Sequence, residues 1–77
     1  MNSGFSQSNY ELMREGQDFY DKGQIADATD RYREAYNNSY DAYAEYNLAN
    51  SLYKQGNYDE SIYRFANVAD SAYDNSL

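Results

Sequence analysis

Cysteine, histidine, proline and tryptophan are all absent from this sequence of 77 residues. Without cysteine and histidine the chain cannot build a Cys/His zinc site, a thiol nucleophile or an imidazole acid-base relay. The acidic residues show neither the spacing of a calcium loop nor that of a buried carboxylate pair. We therefore expect no catalytic residues, no cofactor, no metal site and no enzyme activity. Without disulfides, stability must come from packing.

Long apolar runs and basic residues are also scarce. No stretch approaches the roughly 18 consecutive apolar residues that indicate a membrane helix, and the N-terminus lacks the basic start and apolar stretch of a signal peptide. The 13 acidic and six basic residues give a formal charge of −7, which would repel a phosphate backbone. We expect a soluble chain with no nucleic-acid partner and no membrane insertion. Whether the acidity reflects a solvated surface, adaptation to salt or a basic ligand stays open.

Helix is the secondary structure that the sequence favours, because proline is absent and only four glycines occur. Ser8 and Glu11 have the spacing of a capping box, so a first helix should begin there and end near Lys22. Asn57 and Glu60 predict a second capping box. Apolar residues at three- and four-residue steps predict three more helices, over residues 25–36, 42–54 and 58–72.

The chain matches itself when it is shifted so that Gly23 falls on Gly56. The same shift, called the repeat shift below, places Tyr32 on Phe65. A self-match at this period is typical of a repeat architecture, in which each unit must stack on a neighbour to bury its apolar face. Each unit here is predicted to be a helix, a glycine turn and a helix.

The large apolar residues of both units are predicted to form the core. They are Leu12, Phe19, Ile25, Tyr32 and Ala35 in the first unit and Leu48, Leu52, Tyr58, Ile62, Phe65 and Val68 in the second. Small residues are expected where paired helices cross, at Gly16 and Ala28 and one repeat later at Ala49 and Ser61. Bulk at these four positions would push the helix backbones apart. The arginines of the second helices, Arg31, Arg33 and Arg64, are expected to pair with neighbouring acids such as Asp27 and Glu34.

The arrangement resembles the tetratricopeptide repeat (TPR), a helix-turn-helix unit of about the same period as this self-match. Leu48-Ala49 stands where that family has Leu-Gly, Ala28 and Tyr32 match its small and aromatic positions, and residues 53–60 are close to its consensus turn. The resemblance covers nearly the whole chain and implies an all-α fold: two helix-turn-helix units, with four antiparallel helices, in a short right-handed solenoid. The implied divisions are a flexible segment over residues 1–8, repeats over residues 9–41 and 42–74, and a tail over residues 75–77.

The chain departs from the family pattern at five positions, and two of these are Leu12 and Glu45, which hold the family's Trp position. Tyr40 and Tyr73 replace the proline that usually closes each unit, which leaves the angle between repeats open. Glu15 takes a usual leucine position, which implies a solvated face at the start of the array.

The resemblance also implies a binding surface, because in this family the first helix of each repeat lines a concave groove. Spacings of three and four keep tyrosine and amide side chains on one face of each such helix. Tyrosine offers apolar area with few rotatable bonds, and amides can pair with a peptide backbone. The candidate groove residues are Tyr10, Met13, Gln17 and Tyr20 on the first helix and Tyr43, Tyr46, Asn47, Asn50 and Tyr53 on the third. We expect a non-enzymatic scaffold that binds a peptide or partner protein there, although a tyrosine stripe can equally be half-buried packing.

Asn47 matches one asparagine of the clamp with which chaperone-binding TPR proteins hold a C-terminal carboxylate. Met13 and Gln17 stand where that clamp has lysine and asparagine. Binding of an anionic chaperone tail is therefore not expected. Residues 46–62 are similar to repeats of bacterial envelope-associated TPR proteins, including those of aerotolerance operons. That similarity implies a bacterial protein, and the compartment stays open, with the cytoplasm or periplasm favoured.

The fourth helix offers a second candidate surface. A terminal unit of a repeat array is normally covered by a cap or a further repeat, and an uncovered apolar face marks an interface. The possible association face is Ile62, Phe65, Ala69 and Ala72. A fragment of a longer repeat array, a homodimer and a small independent module would each account for it. We favour the fragment, because Asp74-Asn75 resembles the start of a linker to another helix.

Overall fold

The computed structural model of the protein describes the backbone of residues 7–75 and the side chains of residues 7–72; residues 1–6 and 76–77 of the predicted tails lie outside this range. Within it the chain forms four helices and no strand. They are α1 Asn9–Asp21, α2 Ile25–Asn38, α3 Ala42–Lys54 and α4 Tyr58–Asn75. The all-α prediction is confirmed. Both α2 and α4 run slightly past their predicted ends, so that Asn75 belongs to α4 rather than to a tail.

The start of α1 is fixed by the predicted capping box. Ser8 Oγ accepts the backbone N–H of Glu11 at 3.2 Å, and the Glu11 carboxylate accepts the N–H of Ser8 at 3.3 Å. Two N–H groups without helical partners are thereby bonded. At the start of α3 the Asp41 carboxylate accepts the N–H of Tyr43 at 2.9 Å.

The capping box predicted for α4 is wrong. The backbone N–H of Asn57, which that motif would pair with Glu60, donates instead to the Leu52 carbonyl at 2.9 Å. The Glu60 carboxylate accepts from the guanidinium groups of Arg33 and Arg64. Because charged donors bind a carboxylate more strongly than a backbone amide does, Glu60 links α4 to α2 rather than to its own first turn.

A glycine with positive φ ends both α1 and α3. The φ angles are +80° at Gly23 and +85° at Gly56. The N–H of Gln24 donates to the Phe19 carbonyl at 2.9 Å, and the residue after Gly56 makes the same bond to Leu52 at 2.9 Å. This Schellman arrangement bonds the last carbonyls of each helix and lets the chain turn back. The chain therefore contains two helical hairpins, α1–α2 and α3–α4, with equivalent turns.

The helices pack in chain order, α1 on α2, α2 on α3 and α3 on α4. Every buried hydrophobic residue among those described comes from the first three helices. They are Leu12, Ala28, Tyr32, Ala35, Ala44, Leu48, Ala49 and Leu52. The predicted core residues Phe19, Ile25, Phe65 and Val68 are half-buried. The core therefore lies around α2 and α3, and α4 covers only one side of it.

Two residues predicted for the core lie on the surface instead. Tyr58 is 53% exposed and Ile62 is 65% exposed. Tyr58 lies in the first turn of α4, where its ring packs against Tyr53 with centroids 5.0 Å apart. Ile62 lies on a side of α4 that no described helix covers. The helical period identifies apolar positions, but it does not show whether a neighbouring element covers them.

Small residues do lie where the helices of each hairpin approach closely. Gly16, Ala28, Ala49 and Ser61 are all buried. A Cβ atom on Gly16 would come within 2.5 Å of Tyr32 Cε1, so the Tyr32 ring rests directly on the backbone of α1. In the second hairpin, Ser61 Oγ donates to the Ala49 carbonyl at 2.9 Å. These corresponding positions therefore allow the two helices of each hairpin to approach each other closely, although the contacts differ between the hairpins.

Candidate functional site

A cavity of about 310 Å³ opens between α1 and α3, over a residue of α2. It is lined by Tyr10, Met13, Arg14, Gln17, Asp18, Tyr32, Tyr43 and Asn47. Five of these residues, Tyr10, Met13, Gln17, Tyr43 and Asn47, belong to the groove predicted from the sequence. The α1 residues recur at three- and four-residue steps, and the two α3 residues are four apart, so each helix presents one face to the cavity.

The rim of the cavity is aromatic and largely open to solvent. Tyr10 is 77% exposed and Tyr43 is 63% exposed. Met13 is half-buried and contacts the interior as well as the cavity. It packs against two clusters of buried residues, one formed by Ala28, Tyr32, Leu48 and Leu52 and the other by Leu12, Ala35 and Ala44. The Asn47 amide donates to the Tyr43 carbonyl at 3.0 Å, which fixes its position on α3. The arrangement combines exposed apolar area with polar groups that can hydrogen-bond.

Charges at the cavity are balanced by local pairing. Arg14 lies 3.8 Å from Asp18, and both side chains are more than half exposed. The Gln17 amide donates to Asp21 at 2.8 Å. An exposed pair of this kind contributes little to stability. The sequence prediction missed Arg14 and Asp18, although both lie four residues from another member of the α1 face.

Tyr32 forms the inner wall of the cavity. It is only 2% exposed, and its ring packs against Gly16. Burial raises the pKa of Tyr32 to about 12, and the neighbouring Tyr43, Asp21 and Tyr20 add to this increase. The phenol therefore stays protonated and is a hydrogen-bond donor at every ordinary pH. The sequence places Tyr32 in the core, and the signal that distinguishes it is the glycine opposite its ring.

The other predicted groove residues do not line this cavity. Tyr20 is half-buried and packs against the core cluster around Tyr32. On α3, the Tyr46 ring packs edge-on against Phe65 with centroids 5.9 Å apart, while Asn50 is half-buried. Tyr53 packs against the first residue of α4. Steps of three residues rotate around a helix by less than a full turn, so Tyr46 and Tyr53 face α4, whereas Tyr43 faces α1.

The residues of the predicted association face lie along α4 with unequal exposure. Ile62 is 65% exposed. Ala69 and Ala72 are also exposed, whereas Phe65 is half-buried against Tyr46. This part of α4 therefore presents a narrow aliphatic surface to solvent.

A polar network that the sequence analysis missed joins α2, α3 and α4. The Glu45 carboxylate is 1% exposed and accepts from Arg64 at 3.3 Å and from Asn67 at 3.1 Å. Arg64 also binds Glu60 at 3.2 Å, and Arg33 binds Glu60 at 2.8 Å. The hydrogen bonds from Arg33, and then those from Arg64, lower the pKa of Glu60. A carboxylate held ionised in this way is a structural group rather than a proton donor.

Arginine pairing differs from the sequence prediction. Arg33 reaches across to α4, and Arg64 binds both its own helix and α3. Arg31 lies 4.0 Å from Glu34, as expected for a neighbour three residues away, but its shorter ion pair is with Glu15 of α1 at 3.0 Å. Arg31 and Arg64 thus each pair with an acid on their own helix and with one on another helix, whereas Arg33 pairs across to α4.

Among the residues that the structure describes, no group of three or more acidic side chains is placed to hold a metal ion. None of the four helices has an apolar stretch long enough to cross a membrane. Comparison with protein-family models, with curated proteins and with solved structures gives no match.

Proposed function

We propose that this chain is a pair of TPR units that binds an extended peptide segment of a partner protein in the cavity between α1 and α3. One observation carries the proposal: five residues chosen from the sequence as groove residues line a single cavity. The cavity belongs to the first helix of each predicted unit. That is the surface which the TPR resemblance assigns to ligand binding.

The exposure of the rim tyrosines supports binding over packing. Tyr10 and Tyr43 keep 77% and 63% of their surface in solvent, so neither contributes much to the core. Aromatic side chains of this kind give large contact area at a small cost in conformational entropy when a partner covers them. The cavity volume of about 310 Å³ is near the lower limit of about 300 Å³ for ligand pockets. The cavity can therefore hold a few residues of an extended peptide.

A selection experiment tests this function directly. Peptides chosen from a random library against the wild-type chain would be labelled, and their dissociation constants measured by fluorescence anisotropy. We expect Tyr43→Ala to weaken binding roughly tenfold, or about 1.4 kcal/mol, because tyrosine side chains that a partner covers are enriched among the residues that dominate binding energy. The circular dichroism spectrum should not change, since Tyr43 is mostly exposed.

Tyr63→Ala is the matched control for this measurement. Tyr63 is 59% exposed on α4 and does not line the cavity, so its removal should leave peptide affinity unchanged. Equal effects of Tyr63→Ala and Tyr43→Ala would show that exposed tyrosines bind peptides without regard to the cavity, and the proposal would then be wrong.

A second candidate function is supported by the position of Ile62. Under the repeat shift, Ile62 corresponds to Thr29 of α2. Thr29 is buried, and its hydroxyl donates to the Gln55 side chain, just beyond α3, at 2.8 Å. The face that α2 uses to pack on the next hairpin is therefore the counterpart of the face that α4 leaves open. We accordingly offer as the alternative that α4 self-associates or stacks on a further repeat.

Sedimentation velocity over a concentration series tests the self-association. A change of mass with concentration that Ile62→Lys abolishes would support it, because a charge would be buried without a partner in the interface. Ala26→Lys, on an exposed position of α2, is the control and should not alter the mass. A chain that stays monomeric at every concentration would reject self-association.

A further inference from the structure

The Tyr32 hydroxyl has no hydrogen-bond partner among the described residues. The residue is only 2% exposed, but its hydroxyl is not one of the fully enclosed polar atoms that lack a partner, so it meets solvent in the cavity that Tyr32 lines. A molecule bound in the cavity would displace that water and would have to offer an acceptor in its place, because losing water without a replacement partner costs free energy.

The second hairpin shows that packing does not require this hydroxyl. Under the repeat shift, Phe65 takes the position of Tyr32, and Ala49 takes the position of Gly16. Phe65 is half-buried and packs edge-on against Tyr46. An aromatic ring alone therefore serves at this position in the second hairpin.

The first hairpin, in contrast, has glycine at position 16, where a side chain would clash with the Tyr32 ring. A Cβ atom at position 16 would lie 2.5 Å from Tyr32 Cε1 and 3.0 Å from Tyr32 Cζ, the carbon that carries the oxygen. Glycine at this position allows the ring to lie across α1, beside the cavity. The combination of Gly16 and Tyr32 thus brings one donor to the inner wall of the cavity.

The charges near the hydroxyl limit which chemical groups of a ligand can bind to it. Asp21 lies close enough to Tyr32 to add to the unfavourable energy of a negative charge there, and Asp18 lies on the cavity wall. The single basic residue of the wall, Arg14, is already paired with Asp18 at 3.8 Å. Because the chain also carries a formal charge of −7, a carboxylate or phosphate ligand is disfavoured, whereas a neutral carbonyl oxygen is not.

We infer that Tyr32 is the specificity-determining donor of the cavity, and that it binds a neutral amide carbonyl of the peptide. The inference rests on the proposed peptide-binding function and adds the chemical group that is recognised. The carbonyl can belong to the peptide backbone or to an asparagine or glutamine side chain.

Tyr32→Phe tests the inference, because it removes only the oxygen atom. A library peptide selected against the wild-type chain should bind Tyr32→Phe roughly fivefold more weakly, the effect of one hydrogen bond. The denaturation midpoint of Tyr32→Phe should equal or exceed that of the wild type, since the lost hydroxyl makes no hydrogen bond to any described residue of the free protein. Tyr20→Phe is the matched control: Tyr20 packs against the same core cluster but does not line the cavity, so affinity should not change.

Two sets of modified peptides identify the carbonyl. In the first set each backbone amide is replaced in turn by a thioamide, whose sulfur is a poorer acceptor. In the second set each asparagine or glutamine is replaced by methionine. One replacement should weaken binding to the wild type several-fold while leaving binding to Tyr32→Phe unchanged, and its position shows whether the carbonyl is in the backbone or in a side chain.

The outcomes separate this inference from the proposal on which it rests. Peptides that bind the wild type and lose affinity with Tyr43→Ala but not with Tyr32→Phe would overturn the inference and leave peptide binding intact. A lower denaturation midpoint for Tyr32→Phe would also overturn it, because the hydroxyl would then have a structural partner. Failure of the library to yield any peptide that depends on Tyr43 would overturn both.

Discussion

Gly16 and Tyr32 form a close contact between α1 and α2. The ring of Tyr32 occupies the space that a Cβ atom would need, with Cε1 only 2.5 Å from the ideal Cβ position. Because Tyr32 is 2% exposed, the core surrounds most of its ring, and the ring is open only towards the cavity. The absence of one side chain at Gly16 therefore sets the distance between two helices.

Gly16→Ala should destabilise the chain by up to about 2 kcal/mol, because overpacking a well-packed site costs about 1–3 kcal/mol and the gain of roughly 1 kcal/mol in helix propensity offsets part of that cost. Urea denaturation followed by circular dichroism measures the difference. In a Tyr32→Leu background the same change should cost less, since the ring is gone. A neutral or stabilising effect of Gly16→Ala in the wild type would mean that the ring shifts freely.

At the scale of the helices, two glycines determine where α1 and α3 end. Gly23 and Gly56 occupy the left-handed region with φ of +80° and +85°, and they end α1 and α3 in the same way. A side chain at either position would meet no atom within 4 Å. Glycine is therefore required by the backbone conformation alone, because no neighbouring atom would clash with a side chain at either turn.

Gly23→Ala and Gly56→Ala should each lower the free energy of unfolding by about 1–2 kcal/mol, the cost of a left-handed conformation for a residue with a Cβ atom. Equilibrium denaturation of the two variants should give similar losses because the turns are equivalent. Gly23→Asn should lose less, since asparagine tolerates this region better. Very different losses at the two turns would contradict their equivalence.

At the scale of the whole molecule, polar contacts compensate for a core to which α4 contributes little. The fully buried hydrophobic residues among those described belong to α1, α2 and α3, whereas α4 is attached through Arg64, Asn67 and Glu60. Glu60 forms ion pairs with Arg33 of α2 and with Arg64 of its own helix. Arg64 also forms an ion pair with the buried Glu45 of α3. The fourth helix should therefore depend on pH more than the other three.

Acid should destabilise the chain through Glu60. Since Arg33 and Arg64 lower the folded pKa of Glu60 below its ordinary value of 4.5, its contribution is fully present above pH 4.5 and is lost as the pH falls through the lower folded value. Urea midpoints measured across this range should show a weaker pH dependence in Glu60→Gln than in the wild type. Glu34→Gln, at a more exposed glutamate of α2, is the control. The same acid dependence in the wild type and in Glu60→Gln would contradict this role.

Local features of the chain were predictable because they depend on residues close together in sequence. The capping box of Ser8 and Glu11 and the turns at Gly23 and Gly56 are examples, and their hydrogen bonds join residues within about one turn of each other. The repeat shift then assigned equivalent roles to the two hairpins. The same reasoning found five of the residues that line the cavity, since spacing on one helix decides which side chains share a face.

Tertiary structure alone decided which of those faces meet and which remain open. Tyr43 borders the cavity while Tyr46 and Tyr53 turn towards α4, Ile62 is exposed rather than buried, and Glu60 binds Arg33 from another hairpin. The environment of each of these side chains is set by helices distant in sequence. Sequence by itself therefore determined the helices, their turns and the repeat. Packing between the helices decided the cavity, its enclosed Tyr32 and the polar network, because burial and ion pairing depend on the neighbours that only the assembled fold supplies.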